Sequence, residues 1–291
     1  MRVFLYISYD GSKFFGFQQQ PNKNAVMDRV IFALKELGIT SKPIGSSRTD
    51  KGVHALNQTV HVDLPPFWED LDKLHNTLNC LLHPYIHVRK ISVSNLHARF
   101  DAKKRLYRYI CYTGEYNPLL SDYALFLPRF DLAFINETLS LFLGRHDFGF
   151  FKKTGSETKD DIRTLYKADA YMHKNFLVFR FLGDGFLRSQ VRMMTQAILS
   201  AQEEIFGLKS SKTDTNMQID DSFFLQARID KNTYKKPDSQ TIRNSVCERI
   251  YKNGCDKDAV CEKLQAQIDK KRKTFTLPAP ACGLYLGRVY Y

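Results

Sequence analysis

SSRTDKGVHALNQTVHVDL, residues 46–64, decides how this chain is read. Its first half places one carboxylate, Asp50, between the cations Arg48 and Lys51, with Gly52 and His54 close behind. Asp, Lys and Gly in succession are ordinary turn chemistry, because an Asp side chain caps nearby amides and a glycine supplies positive φ. Its second half sets Val60, Val62 and Leu64 against Thr59, His61 and Asp63, which is the period of a half-buried strand over 57–64. Asp50 is therefore expected on a loop that feeds a sheet. Loops mounted on a scaffold are where catalytic groups concentrate, and a plain surface turn is the competing reading.

On either side, strand and helix patterns alternate. Residues 2–9 (RVFLYISY) read as a strand and the following DGSKFFGF as a loop. Over 24–37, Val26, Val30, Leu34 and Leu37 recur at helical spacing and Gly38 supplies a stop. A helix over 67–82 and a strand over 86–93 complete a βαβαβ half. The second half offers a strand in LYRYICY, a helix over 131–143, strands over 163–172 and 175–182, and a long helix over 187–205. The helix buries Val191, Met194, Ile198 and Ile205, and GLYLGRVYY supplies a last strand. Two packed α/β halves follow, 1–104 with the Asp50 loop and 105–291, related by no sequence repeat. The second carries a polar insertion near 207–254, whose first part, 207–222, is poor in branched residues.

With 291 residues and 43% hydrophobic content the chain can build substantial cores. Its apolar runs are too short to span a bilayer and its N-terminus does not read as a signal peptide, so a cytoplasmic protein is expected. Six cysteines contain no C-x-x-C pair and read as reduced thiols. Lys and Arg number 43 against 31 Asp and Glu, a net charge of +12 that points to a polyanionic partner. Seven of these cations lie in RKISVSNLHARFDAKKRLYR, residues 89–108, with one acid, Asp101. They interleave with Phe100, Tyr107 and Tyr109, the mixture of charge and stacking faces expected of an RNA-binding surface. His54, His61 and His97 lack the spacing of a helix-borne metal pair and read as satisfied structural histidines. No metal and no cofactor is expected.

Set among these elements, SSRTDKGVHA resembles the signature of the tRNA pseudouridine synthase A family, usually Gly-Arg-Thr-Asp followed by Ala-Gly-Val-His. Further blocks resemble that family in the family's order: YDGSKFFGFQQQ, LHARFDA with LYRY, DFGFF at 147–151, IRT at 162–164, GFLRSQVRMM at 185–194 and GLYL at 283–286. The likeness spans nearly the whole chain. Three positions depart from it: Ser47 replaces Gly, Lys51 an Ala, and Gln190 a Met.

The resemblance implies an α+β pseudouridine synthase fold, with two ferredoxin-like halves whose mainly antiparallel sheets are flanked by helices around a central active-site cleft. It implies that Asp50 is the catalytic nucleophile, attacking uracil C6 or ribose C1′, because a carboxylate already ionised at neutral pH needs no activating base. Arg192 aligns with the arginine that pairs with this aspartate, and Tyr107 with the tyrosine that lies against the flipped target base. Arg48 is placed to contact the RNA backbone or to fill the gap the base leaves, and Leu284 to border the pocket. The implied substrate is tRNA, at anticodon stem-loop uridines thirty-eight to forty, handled by a homodimer without a membrane. Two rivals stand beside this reading. One is an RNA-binding or chaperone protein on the same scaffold; the other is a metal-dependent nuclease, which would require clustered acids near Asp50.

Overall fold

The computed structural model describes residues 1–21, 23–155, 160–206 and 257–291. The insertion expected near 207–254 lies outside the described residues, as do Cys247 and Cys255. The described elements in chain order are β1 Arg2–Tyr9, α1 Val26–Glu36, β2 Ile44–Gly45, β3 His54–Asp63, α2 Leu71–Leu82, β4 Ile86–Val93 and β5 Lys104–Tyr112. They continue with β6 Leu125–Phe126, α3 Leu132–Ser140, β7 Gly144–Asp147, β8 Ile162–His173, β9 Phe176–Gly183, α4 Gln190–Ile205, a helix over Lys257–Ile268 that we number α5, and β10 Leu284–Tyr290.

These elements form where local chemistry directs them. Helix α1 buries Val26, Met27, Val30, Ala33 and Leu34 along one face. Asp28 reaches back to accept from the Ala25 amide at 3.0 Å, and Gly38, at φ +71°, ends the helix. In α2 the Asp70 carboxylate accepts from the Lys73 amide at 2.8 Å while Leu74, Leu78 and Leu82 face inward. Asp131 caps α3 in the same way through the Phe134 amide, at 3.1 Å.

The ten strands among the described residues join one mainly antiparallel sheet, ordered β4-β1-β3-β10-β5-β9-β8-β7, with β2 paired to β3 and β6 to β5. Helix α2 lies along β4 with α1 beside it, and α3 lies along β8 with α4 and α5 stacked behind. The mixed α+β architecture read from the sequence is present. The sheet has one feature that periodicity does not announce: C-terminal β10 enters between β3 and β5. It pairs antiparallel with β5 and parallel with β3 through Tyr285 opposite His54 and Leu286 opposite Ala55. The short strands β2, β6 and β7 and the helix α5 were not expected from the sequence. At two to four residues, those strands are too short to show a period.

The topology brings the loop over 46–53 against the start of α4. That junction is where the expected site residues meet.

Candidate active site

The loop carrying Asp50 is fastened along its length. The Ser46 amide donates to Thr59 O at 2.8 Å, Gln58 Nε2 donates to Ser47 O at 2.7 Å, and the Val53 amide closes the turn onto Asp50 O at 3.2 Å. Gly52 takes φ +78°, the conformation its place in the turn requires. The 10–17 loop packs directly upon this turn. A Cβ on Gly11 would stand 2.0 Å from Val53 O, and the Phe17 amide donates to Thr49 O at 3.1 Å. This is why the two sequence blocks, 10–17 and 46–53, act as one structure.

Asp50 is 30% exposed at its side chain and receives three groups from the start of α4. Ser189 Oγ donates to Asp50 Oδ2 at 2.6 Å. Arg192 Nη1 lies 3.7 Å from the same oxygen, and Arg188 Nε lies 3.9 Å from Oδ1. Arg192 is not the solvent-facing arginine of an amphipathic helix, because its side chain is 16% exposed and its Nε donates to Ala279 O at 2.6 Å. Burial lowers its pKa below the usual arginine value and the Asp50 charge opposes that shift, so it remains a cation.

Tyr107 is 7% exposed and stands edge-to-face with Phe186, ring centroids 5.2 Å apart. Burial pushes its phenol up to about 12, against the opposing pull of the Ser47 side chain and the Arg105 charge, so it holds its proton at neutral pH. Tyr109, two residues on, is fully buried and donates to Pro280 O at 2.9 Å. Leu284 opens β10 and is 6% exposed. Ser47, where glycine was expected, receives a hydrogen bond on Oγ from Arg105 Nε at 3.3 Å. Lys51, where alanine was expected, sits 4.2 Å over the Phe15 ring.

Arg48, Asp50, Tyr107, Arg192 and Leu284 all line one cleft of about 1470 Å³. That exceeds the roughly 300–1,000 Å³ of small-molecule pockets and suits part of a macromolecule. Among the described residues its wall carries eleven cations: Lys42, Arg48, Lys51, Arg99, Arg105, Lys152, Lys153, Arg163, Arg188, Arg192 and Lys273. Asp50 is the one carboxylate residue among the described lining residues.

The 89–108 segment reaches this cleft only in part. Arg99, Arg105 and Tyr107 line it, whereas Lys104 packs 4.5 Å over the Tyr166 ring and Arg89 donates to Leu56 O. Strand alternation in β4 and β5 sends neighbouring cations to opposite faces, a separation that clustering in sequence conceals. The three histidines have protein partners. His54 Nδ1 accepts from the Gly11 amide, His61 Nδ1 from the Ala98 amide, and His97 Nδ1 from the amides of Arg99 and Phe100.

The residues missed from sequence are Ser189, Arg188 and Phe186; Arg105 was read only as one cation of the 89–108 stretch. A serine just before an amphipathic helix reads as an N-cap, yet Ser189 caps nothing and turns its hydroxyl to Asp50. Among the described residues no helix is long and apolar enough to cross a membrane, and no group of three or more His, Cys, Asp or Glu is placed to hold a metal ion.

Comparison with known proteins shows the family. The family model described as tRNA pseudouridine synthase matches residues 5–101 and 139–216. "tRNA pseudouridine synthase A" of Campylobacter jejuni (serotype O:6) is 38% identical over 249 residues, covering 85% of this chain and 100% of the relative. The protein of the same name in Helicobacter pylori (strain 26695) is 35% identical over 291 residues, covering 98% of this chain and 97% of its own length. The chain belongs to the tRNA pseudouridine synthase family, as the RTD signature led us to expect.

Proposed function

We propose that this isomerase acts on uridines of the tRNA anticodon stem-loop, with Asp50 as nucleophile and the target base flipped into the cleft. One observation carries the reading: among the described residues of the cleft wall a single carboxylate stands among eleven cations, held by Ser189 and flanked by Arg192. A surface that only bound RNA would gain nothing from an anion placed where phosphates approach.

The reaction breaks the C1′–N1 glycosidic bond, turns the uracil, and joins C1′ to C5. The proton leaves C5 and N1 gains one, so atoms and charge balance without cofactor or redox change. Asp50 divides the step by bonding covalently to uracil C6 or ribose C1′ and leaving again at the end. Arg192 opposes the desolvation of Asp50 that a filled cleft imposes. Tyr107, backed by Phe186, offers the flipped base a flat face, a stacking contact worth roughly 1–3 kcal/mol. Arg48 contacts the backbone of the RNA or fills the gap the base leaves, and Leu284 closes the apolar side of the pocket. The remaining cations track the phosphates.

We further propose that residues 1–104 and 105–291 act as two halves meeting at the cleft. In our reading the enzyme works as a homodimer in the cytoplasm. Mapping pseudouridine by carbodiimide primer stops on an unmodified tRNA transcript tests the substrate reading. Stops are expected at positions thirty-eight to forty, and stops confined to another arm of the tRNA would overturn it.

A further inference from the structure

We infer that Ser189 is a positioning residue that fixes the rotation of the Asp50 carboxylate, so that Oδ1 is the oxygen that attacks. The inference rests on Asp50 being the nucleophile.

The terminal torsion of an Asp side chain is broad and roughly two-fold, so an unanchored carboxylate would present either oxygen in many orientations. Here Oδ2 is engaged by Ser189 Oγ at 2.6 Å and approached by Arg192 at 3.7 Å. Oδ1 has Arg188 at 3.9 Å, on a side chain that is 53% exposed and free to swing aside. A carboxylate held by one oxygen directs the other.

The backbone at Ser189 supports a dedicated role. Its φ of 60° and ψ of 10° are left-handed, a conformation costly for a residue bearing a Cβ. Among the described residues three others without glycine's freedom share positive φ, Lys23, Lys174 and Lys270, and none of these lines the cleft. The strain at 189 is locked in from several sides. Buried Gln190 accepts from the Leu187 amide through Oε1 at 2.8 Å, the Lys153 amide donates to Arg188 O at 3.1 Å, and the Met193 amide donates to Ser189 O at 2.9 Å. A cap with extended backbone, as at Asp70 and Asp131, points its side chain at the helix's own amides; the left-handed Ser189 caps none of them and gives its hydroxyl to Asp50. Strain held in place by its surroundings beside a reactive group is the pattern expected of a functional constraint.

The test compares Ser189→Gly and Ser189→Asn in the full chain, by single-turnover rate on an unmodified tRNA transcript, by tRNA affinity and by thermal unfolding. Glycine accepts the left-handed backbone and removes the hydroxyl; asparagine accepts the same backbone and offers an amide donor. For S189G a rate loss of about 10- to 100-fold is expected, the scale of a small misplacement of a reacting group. Its tRNA affinity should stay within about twofold of wild type and its melting temperature should not fall, since the strain is relieved. S189N should recover part of the rate. An S189G rate within twofold of wild type, or an S189N rate no better than that of S189G, would overturn the inference. Asp50→Asn, run alongside, separates the two ideas: an active D50N sinks the nucleophile reading itself, whereas an inactive D50N with a fully active S189G sinks only the role of Ser189.

Discussion

Tyr107 and Tyr109 stand two residues apart on one face of β5, yet of the two only Tyr107 borders the cleft, while Tyr109 is fully buried with its hydroxyl donating to the Pro280 carbonyl at 2.9 Å. The Tyr107 phenol, pushed up to about 12 by burial, keeps its proton at neutral pH and is a poor base. Stacking should therefore outweigh acid-base work. Tyr107→Phe should retain activity within about tenfold of wild type, whereas Tyr107→Ala should lose about 100-fold or more. Equal losses in steady-state assays of the two variants would assign the step to the hydroxyl instead.

Arg192 divides its guanidinium between the Ala279 carbonyl, at 2.6 Å, and Asp50, at 3.7 Å. A lysine carries the charge but not the planar fork that serves both partners at once. Arg192→Lys should lower kcat by about 10- to 100-fold with little change in tRNA affinity, and Arg192→Ala should cost more because the Asp50 charge then faces desolvation alone. Steady-state kinetics on both variants would show the split; a change in affinity with kcat intact would make Arg192 a binding residue.

Arg105 joins three segments from within the cleft wall. Its guanidinium donates to the carbonyls of Ala102, Asp184 and Arg99 at 3.2, 2.7 and 3.1 Å, and to Ser47 Oγ at 3.3 Å. Burial lowers its pKa, so these neutral acceptors replace the water it has lost. Arg105→Met leaves several carbonyls unsatisfied and should lower stability by about 2–4 kcal/mol in a urea titration. No loss of stability would mean that water replaces the guanidinium freely.

The cation-lined cleft predicts a steep salt dependence. If about five of its eleven cations reach phosphates, the plot of log affinity against log salt should fall with a slope of about −4 to −5. A slope near zero in a filter-binding series would place the contact surface elsewhere.

How far the sequence leads can be seen residue by residue. The strand over Ile86–Val93 is found at the bounds its alternation indicates, and α4 buries the Val191, Met194, Ile198 and Ile205 stripe. Periodicity reports local burial, and these elements are locally determined. The position of β10 between β3 and β5 is set by pairings across the whole chain, which no period encodes. Arg48, Asp50, Tyr107, Arg192 and Leu284 were legible through motifs, and the structure brings them to one cleft. Ser189 was not legible, because the direction of its hydroxyl follows from a left-handed φ that its sequence position does not disclose. The basic stretch over 89–108 misled in one respect, since charge clustered along a chain is divided between faces once the chain becomes strand.

The most direct measurement is pseudouridine formation by wild type and Asp50→Asn on the same unmodified tRNA transcript, with tRNA affinity measured in parallel. The substitution keeps the shape of the side chain and removes its nucleophilic charge. The account predicts that D50N binds tRNA within about threefold of wild type while its rate falls by at least about 10³-fold. A D50N enzyme that still forms pseudouridine within tenfold of the wild-type rate would contradict it.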